Sequence, residues 1–337
     1  MKNNRVYIIA EIGPNHNGSF KNARKMISLL KNSGVNAIKF QLADPDSVYS
    51  DNAFLANYQK KNGEKSIKEM SIKNQLSHDQ HLKLSKICKK NKIDYLCSAF
   101  DKKSLEFLIK KIKIPIIKIP SGEITSIDIL NYISKQKKKI LLSTGMSNLD
   151  DIKKAMRLLN KNFKKKITLL HCVSSYPAPK KILNLNIMKK LKEIFDVNIG
   201  YSDHSTGHEA CLAAVAAGAT VIEKHVTLST NLKGPDHKSS MEIKQFKLLV
   251  KKIRNLEIIL GNTEKKVLRF EQEIQKVARK SIVSSTFLRK GTIINKKHIV
   301  FKRPGTGISP FLINKIIGKK VINNVKKNRV LKLRNIK

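Results

Sequence analysis

The alternation of short β-type runs with amphipathic helical stretches constrains this chain more than any other feature of its sequence. Eight runs read as strands: VYIIAEIG from Val6, NAIKFQ from Asn36, DYLCSAF from Asp94, IIKIPSG from Ile116, KILLSTG from Lys139, ITLLHCVSS from Ile167, VNIGYSD from Val197 and TVIEKHV from Thr220. Helical patterns such as Lys21–Lys31, His78–Lys90, Asp150–Leu159 and Thr206–Ala217 lie between them, and Met241–Leu260 closes the series. Eight strands, each followed by a helix, are the count of a (β/α)8 TIM barrel, an α/β fold. A doubly wound open sheet is the rival, but no GxGxxG follows the first strand.

Strand parity favours closure. Alternate residues of a barrel strand face the lumen and the others pack beneath the helices. The second run places Ala37, Lys39 and Gln41 on one face and Ile38, Phe40 and Leu42 on the other. The eighth places Val221, Glu223 and His225 opposite Ile222, Lys224 and Val226, and in the fourth Lys118 is out of phase with Ile117 and Ile119. A charge within a β run is costly unless it meets something polar or anionic. These polar residues gather toward the C-terminal halves of the runs, where barrel enzymes carry their active sites.

Two segments depart from the rhythm. Ala43 to Ser77 is a long insertion between the second and third runs, of the kind used as a lid or binding loop. Beyond about Lys266 short β runs and Gly turns take over. We therefore expect a barrel domain over 1–262, a helical linker over 263–280 and a small mostly-β domain over 281–337.

The chain carries 68 Lys+Arg against 25 Asp+Glu, a formal net charge of +43, which raises nucleic-acid binding as a second class of function. Only ten of those cations are Arg, the residue suited to bidentate phosphate and base recognition. There is no Trp, and the Lys are spread along most of the chain. The region Val197–Thr230, the densest in candidate site residues, carries Asp203, Glu209, Glu223 and Lys224, a net charge of −2. The basic excess therefore reads as a solvated surface, with no nucleic-acid partner. Cys88, Cys97, Cys172 and Cys211 show no CxxC spacing and fit buried thiols in a reducing cytosol. Neither the N-terminus nor the apolar stretch Cys211–Ile222 has the length of a signal peptide or a membrane span, so a cytoplasmic protein without a membrane partner is expected.

The strand ends supply the candidate chemistry. Glu11, Asn15 and His16 follow the first run, Lys39 and Gln41 end the second, and Ser98 and Asp101 follow the third. Lys118, Ser121 and Glu123 mark the fourth, Ser143 and Thr144 the fifth, and His171, Ser174 and Tyr176 the sixth. Ser202, Asp203 and His204 end the seventh, and Glu223 and His225 the eighth. Two inward lysines among hydroxyls and backbone amides suit a bound phosphate or carboxylate. His204 and His225, at the ends of adjacent strands, can converge on one divalent ion such as Mn²⁺, Co²⁺ or Zn²⁺; spacing alone leaves ligand and structural histidine both open. Cys172 is expected to pack outward, since its neighbour His171 takes the opposite face.

Taken in order, AEIGPNHNG (Ala10–Gly18), IKFQ (Ile38–Gln41), KIPSGEI (Lys118–Ile124), LLSTGM (Leu141–Met146), LLHCVSSYPAP (Leu169–Pro179), GYSDHS (Gly200–Ser205), EKHVTL (Glu223–Leu228) and GPDHKSS (Gly234–Ser240) resemble the sialic acid synthase family. RKSIVSS and VFKRPGTGISP in the tail resemble that family's antifreeze-like SAF domain. The resemblance implies joining of phosphoenolpyruvate to an N-acetylated hexosamine, with release of phosphate, in a domain-swapped homodimer. It implies a divalent metal cofactor, Mn²⁺ first and Co²⁺ or Mg²⁺ as alternatives, held by His204 and His225. It assigns Lys39, Ser98, Lys118, Ser121, Ser143, Ser174 and Ser202 to phosphoenolpyruvate. Gln41, Tyr176, Asp236 and Arg303 then face the amino sugar, and Glu11 and Glu123 handle protons. CSAF (Cys97–Phe100) departs from the family's more usual STPF, and Ser174 stands where some members carry Asn or Thr. N-acetylmannosamine is the first expectation for the sugar, giving N-acetylneuraminate. The run NYQKKNGE, from Asn57, and KGPDHKSS fit equally a legionaminate synthase using 2,4-diacetamido-2,4,6-trideoxymannose.

Overall fold

The structure, a computed structural model, describes residues 5–61, 65–159 and 166–337. Of the NYQKKNGE run, residues 62–64 lie outside the described residues. The chain divides into two compact units, Met1–Gly261 and Asn262–Lys337.

The first unit is a closed eight-stranded parallel barrel. Its strands are β1 (Tyr7–Glu11), β2 (Ala37–Leu42), β3 (Asp94–Ala99), β4 (Ile116–Ile119), β5 (Lys139–Ser143), β6 (Ile167–Cys172), β7 (Asn198–Asp203) and β8 (Val221–Thr227). Each pairs with the next, and β1 pairs with β8 in the register Ile9↔Glu223 and Glu11↔His225, which closes the ring. All eight lie on the runs read from sequence. A two-residue strand, β9 (Met241–Glu242), adds to β8 before the last barrel helix, Ile243–Leu260.

The alternation of faces is what divides the core. Ile9, Ala37, Leu96, Ile116, Leu141, Leu170 and Val221 fill the lumen as one apolar layer. Ile8, Ile38, Phe40, Ile117, Leu142, Leu169, Tyr201 and Ile222 face outward into the larger core under the helices. The helices complete that core because their apolar residues recur at helical spacing. Phe20–Leu30 buries Ala23, Met26, Ile27 and Leu30, and Leu149–Leu159 buries Ile152, Ala155, Met156 and Leu159. Each of the Leu, Ile and Met side chains among these contributes roughly 1.5–3 kcal/mol when fully removed from water.

The insertion after β2 forms three short helices, Pro45–Val48, Asn57–Lys61 and Ile67–Asn74. It is tied at the barrel mouth: Asp44 N donates to Asp101 Oδ2 (2.8 Å) and Ala43 N to Gln75 Oε1 (3.3 Å).

The second unit begins with the helix Glu271–Ala278. It continues with an antiparallel pair, β10 (Ser281–Ser284) and β11 (Ile299–Lys302), in the register Ile282↔Phe301. Single bridges such as Val283↔Val330 and Leu288↔Val325 extend it. Its own small core comprises Ile282, Leu288, Ile294, Ile299, Ile308, Ile316, Val321, Val325 and Leu331.

Candidate active site

Above the apolar layer, the next inward-facing residue of most strands is polar. Glu11, Lys39, Ser98, Lys118, Ser143, Ser202 and Glu223 are all buried there, each two residues past a lumen position or in phase with one. Lys39 Nζ lies 2.5 Å from Glu11 Oε2 and 3.7 Å from Glu223 Oε1, and it donates to Ser98 Oγ at 3.2 Å. Lys118 Nζ lies 3.5 Å from Glu223 Oε1 and donates to Ser143 Oγ at 2.8 Å. Ser202 Oγ donates to Glu223 Oε1 (2.9 Å), while Glu223 Oε2 has no hydrogen-bond partner among the described residues. Gln41 Nε2 donates to Gly13 O (2.9 Å) and Glu11 Oε1 (3.2 Å).

Burial and mutual attraction compete in this layer. Burial pushes the Glu11 carboxyl up to about 7, against the pull of Lys39. Burial also opposes the charge on Lys39, but Glu11 and Glu223 outweigh it and raise the ammonium to about 12. Lys118 ends below its ordinary value, because burial and Lys39 together exceed the help it receives from Glu223. Burial raises Glu223 less than Lys118 and Lys39 lower it, so this carboxylate stays ionised.

A second cluster lies at the β4, β5 and β6 ends. Ser121 Oγ accepts from Gly145 N (3.0 Å) and meets Cys172 Sγ (3.2 Å). Any side chain at Gly145 would collide with Ser174 Oγ, Ser121 Oγ and Cys172 Sγ, so only glycine permits this close approach. The expected outward packing of Cys172 is therefore corrected: it shares the lumen phase of Leu170, while His171 faces outward and its Nε2 meets Leu183 O at 2.7 Å. Alternation was sound, but it does not say which member of an adjacent pair takes the inner face.

The third cluster is imidazole-rich. The rings of His204 and His225 lie 5.3 Å apart, and Tyr176 lies 4.3 Å and 5.9 Å from them, centroid to centroid. His204 Nδ1 must donate to the Val173 carbonyl, 2.7 Å away, which leaves Nε2 with a lone pair near the Tyr176 hydroxyl (3.3 Å). His225 Nδ1 is buried without a hydrogen-bond partner, 3.4 Å from Asp236 Oδ2. Burial holds His204 at about 4 and His225 well below its ordinary value, so both imidazoles are neutral. Burial raises Asp236 to about 7. Two neutral imidazoles with lone pairs fit a divalent ion. Among the described residues no group of three or more His, Cys, Asp or Glu comes together to hold a metal, so water and substrate oxygens would complete its coordination.

Other residues singled out from sequence stand apart. Half-buried Glu123 accepts from Ser126 Oγ (2.5 Å) in the short 3₁₀ helix Ser121–Thr125, with no ion pair to the lumen lysines among the described residues. Asp101 caps the helix Lys102–Phe107, and Asn15 braces Val226 O and Ser240 Oγ. Arg303 is exposed in the second unit, just past β11. Sequence reasoning gave Glu223 no role although its parity with His225 was legible; it proves to be the carboxylate between the two lysines.

The profile of the NeuB family matches residues 26–265, and that of the SAF domain residues 279–337. The chain belongs to the NeuB family. It is 41% identical to the N,N'-diacetyllegionaminic acid synthase of Campylobacter jejuni over 97% of this chain and 99% of that one. The synthase of the same name from Legionella pneumophila is 38% identical, over 95% of this chain and 91% of that one. Among solved structures, the N-acetylneuraminic acid (sialic acid) synthetase of Leptospira borgpetersenii, in complex with citrate, superposes with a TM-score of 0.73. That alignment has 34% identity and covers 81% of this chain and 90% of that one. The barrel with a C-terminal SAF domain is thus an enzyme of the sialic-acid-synthase type. No helix among the described residues is long and apolar enough to cross a membrane.

Proposed function

We propose that this enzyme condenses phosphoenolpyruvate with the open-chain aldehyde of an N-acetylated amino sugar, forming a nonulosonic acid and releasing phosphate. The observation that carries this reading is the buried layer in which Lys39 and Lys118 face the lumen one step below His225, among Ser98, Ser143 and Ser202. Two ammonium groups fixed in a water-excluded barrel suit the carboxylate and phosphate of phosphoenolpyruvate. Ser121, Ser174 and the Gly145 amide extend that cradle at the β4–β6 ends.

His204 and His225 are the residues that would hold a divalent ion, Mn²⁺ first, with Co²⁺ or Mg²⁺ as alternatives. Such an ion would polarise the aldehyde oxygen as a Lewis acid. The methylene carbon of phosphoenolpyruvate attacks the aldehyde carbon, and C2 becomes cationic. Water adds at C2, and the tetrahedral adduct expels phosphate as its C–O bond to phosphorus-bearing oxygen breaks. Glu11, whose carboxyl burial raises to about 7, can take the proton from the added water and return one to the former aldehyde oxygen, which becomes a hydroxyl, and ionised Glu223 stabilises the cationic centre. Glu123 serves as the alternative proton carrier. Tyr176 and Asp236 beside the imidazole pair, and Gln41 beside Glu11, support their assignment to the sugar, and the family resemblance carries Arg303 over to its acetamido group.

For the sugar, identity to two N,N'-diacetyllegionaminic acid synthases puts 2,4-diacetamido-2,4,6-trideoxymannose ahead of N-acetylmannosamine, reversing the order expected from sequence. N-acetylmannosamine is the second reading, supported by the similarity to the Leptospira synthetase. Phosphate release from phosphoenolpyruvate with Mn²⁺ and each hexosamine tests both: the diacetamido sugar should show the higher kcat/KM. Release with neither would overturn the condensation itself. Arg303→Ala should raise KM for the sugar and leave KM for phosphoenolpyruvate unchanged. The active form in this reading is a homodimer, which light scattering on the full chain would check.

A further inference from the structure

Directly behind the imidazole pair, on the outer face of the same two strands, lies a buried ion pair that the reaction does not touch. Lys224 and Asp203 are each 1% exposed, and Lys224 Nζ donates to Asp203 Oδ2 at 2.6 Å. Lys224 immediately precedes His225 in β8, and Asp203 immediately precedes His204 at the end of β7. The two residues are register partners across the strands. Because successive side chains alternate faces, the ion pair points outward where the imidazoles point inward.

Lys224 does more than pair. Its ammonium also donates to the Ser205 carbonyl, so it holds the Asp203 side chain on one side of His204 and the Ser205 backbone on the other. Asp203 is saturated in turn. Its Oδ1 accepts from Ser205 N (2.9 Å), Ser205 Oγ (2.7 Å) and Tyr201 Oη (3.2 Å), and its Oδ2 accepts from Cys211 Sγ (3.2 Å). The Asp203–Ser205 bonds close a turn around His204. The residue before His225 thereby clamps the residues on either side of His204.

We infer that Asp203 and Lys224 are positioning residues that set the separation of His204 and His225, and so determine whether the two can share one divalent cation. The inference rests on the reading that these histidines hold the ion. Outer groups that orient metal ligands are worth about 10–100-fold in metal affinity. A pair that served stability alone would leave cation binding and the KM-against-kcat pattern untouched.

Removing one partner strands a buried charge, so the test uses the neutral double variant D203N/K224M, which keeps shape without leaving an ion uncompensated. Mn²⁺ binding to the substrate-free full chain is followed by the electron paramagnetic resonance of the free ion, beside wild type and His225→Ala. The double variant should bind Mn²⁺ at least about tenfold more weakly. Its kcat at fixed low Mn²⁺ should fall by a similar factor and recover at high Mn²⁺, with KM for phosphoenolpyruvate within about twofold of wild type. Should it fail to fold, Lys224→Arg provides the second measurement, because the longer, planar guanidinium cannot take the ammonium's buried place between Asp203 Oδ2 and the Ser205 carbonyl without displacing one of them. Loosened Mn²⁺ in that variant supports the inference, and wild-type affinity overturns it. Wild-type affinity in a folded D203N/K224M overturns the inference alone. A wild-type chain that takes up no Mn²⁺ overturns the metal reading and the inference together.

Discussion

Two sets of buried charges lie on opposite faces of one barrel wall, and they are finished to different degrees. Outside, Lys224 and Asp203 meet at 2.6 Å, and the carboxylate collects every donor in reach. Inside, Glu223 stands 3.5 Å and 3.7 Å from two lysines, and its Oε2 has no hydrogen-bond partner among the described residues. The same contrast holds for the histidines: His171, outside, closes onto Leu183 O, whereas His225 Nδ1, inside, lacks a partner. A buried polar group left unsatisfied costs free energy that a purely structural site has no reason to spend. Across this wall the completed network marks scaffold and the incomplete one the face that receives a ligand, although His81 Nε2, behind β2, is also buried without a partner among the described residues.

The comparison can be broken in several places. Lys224→Met leaves Asp203 charged without its counter-ion in the outer core and should cost about 3–5 kcal/mol in urea denaturation. A loss below 1 kcal/mol would mean that the outer network is not the tighter of the two. Lys118→Met removes a lumen cation from an arrangement that already lacks full pairing. It should leave stability closer to wild type while lowering kcat/KM for phosphoenolpyruvate about 100-fold or more, as expected for a preorganised charge on a reacting anion.

Acid should report on the wall itself. His16 and His81 pack against Phe40 behind β2, and burial holds them at about 4 and about 3. The unfolded chain takes up protons on these rings near 6.5, where the folded chain refuses them. Their contribution to stability is therefore complete above pH 6.5 and is lost as pH falls toward 4. Thermal melts at pH 7 and pH 5 should show this drop, and His81→Phe should shrink it; an unchanged drop would remove His81 from the account. The smallest effect is expected from Ser143→Ala. It deletes one hydrogen bond to Lys118, at 2.8 Å, and should lower kcat/KM for phosphoenolpyruvate by about tenfold, corresponding to roughly 1.4 kcal/mol.

Much of this was readable along the chain. Period-2 alternation in β2 and β8 put Lys39, Gln41, Glu223 and His225 on a common type of face, and the barrel places them there. Cys172 and His171 were assigned to the wrong faces because ITLLHCVSS is apolar on both sides. Alternation carries a phase only where one face is visibly polar. Glu123 could not be separated from Glu11 in sequence, since both stand near the C-terminal ends of strand runs. Only the chain's course after β4, into a short 3₁₀ turn, keeps Glu123 beside Ser126 and away from the lysines.

The sequence by itself determined the number of strands, the inner and outer faces of those strands with one visibly polar side, and the residue types at the barrel's mouth. These follow from local periodicity, which each segment expresses without knowledge of the others. Tertiary structure alone decided which of those residues meet. Closure of β1 on β8 sets Glu11 level with His225, and the pairing of β7 with β8 sets His204 against His225 with Asp203 and Lys224 locked behind them. Such contacts join residues far apart in the chain, and their distances are fixed by register and burial rather than by spacing in sequence.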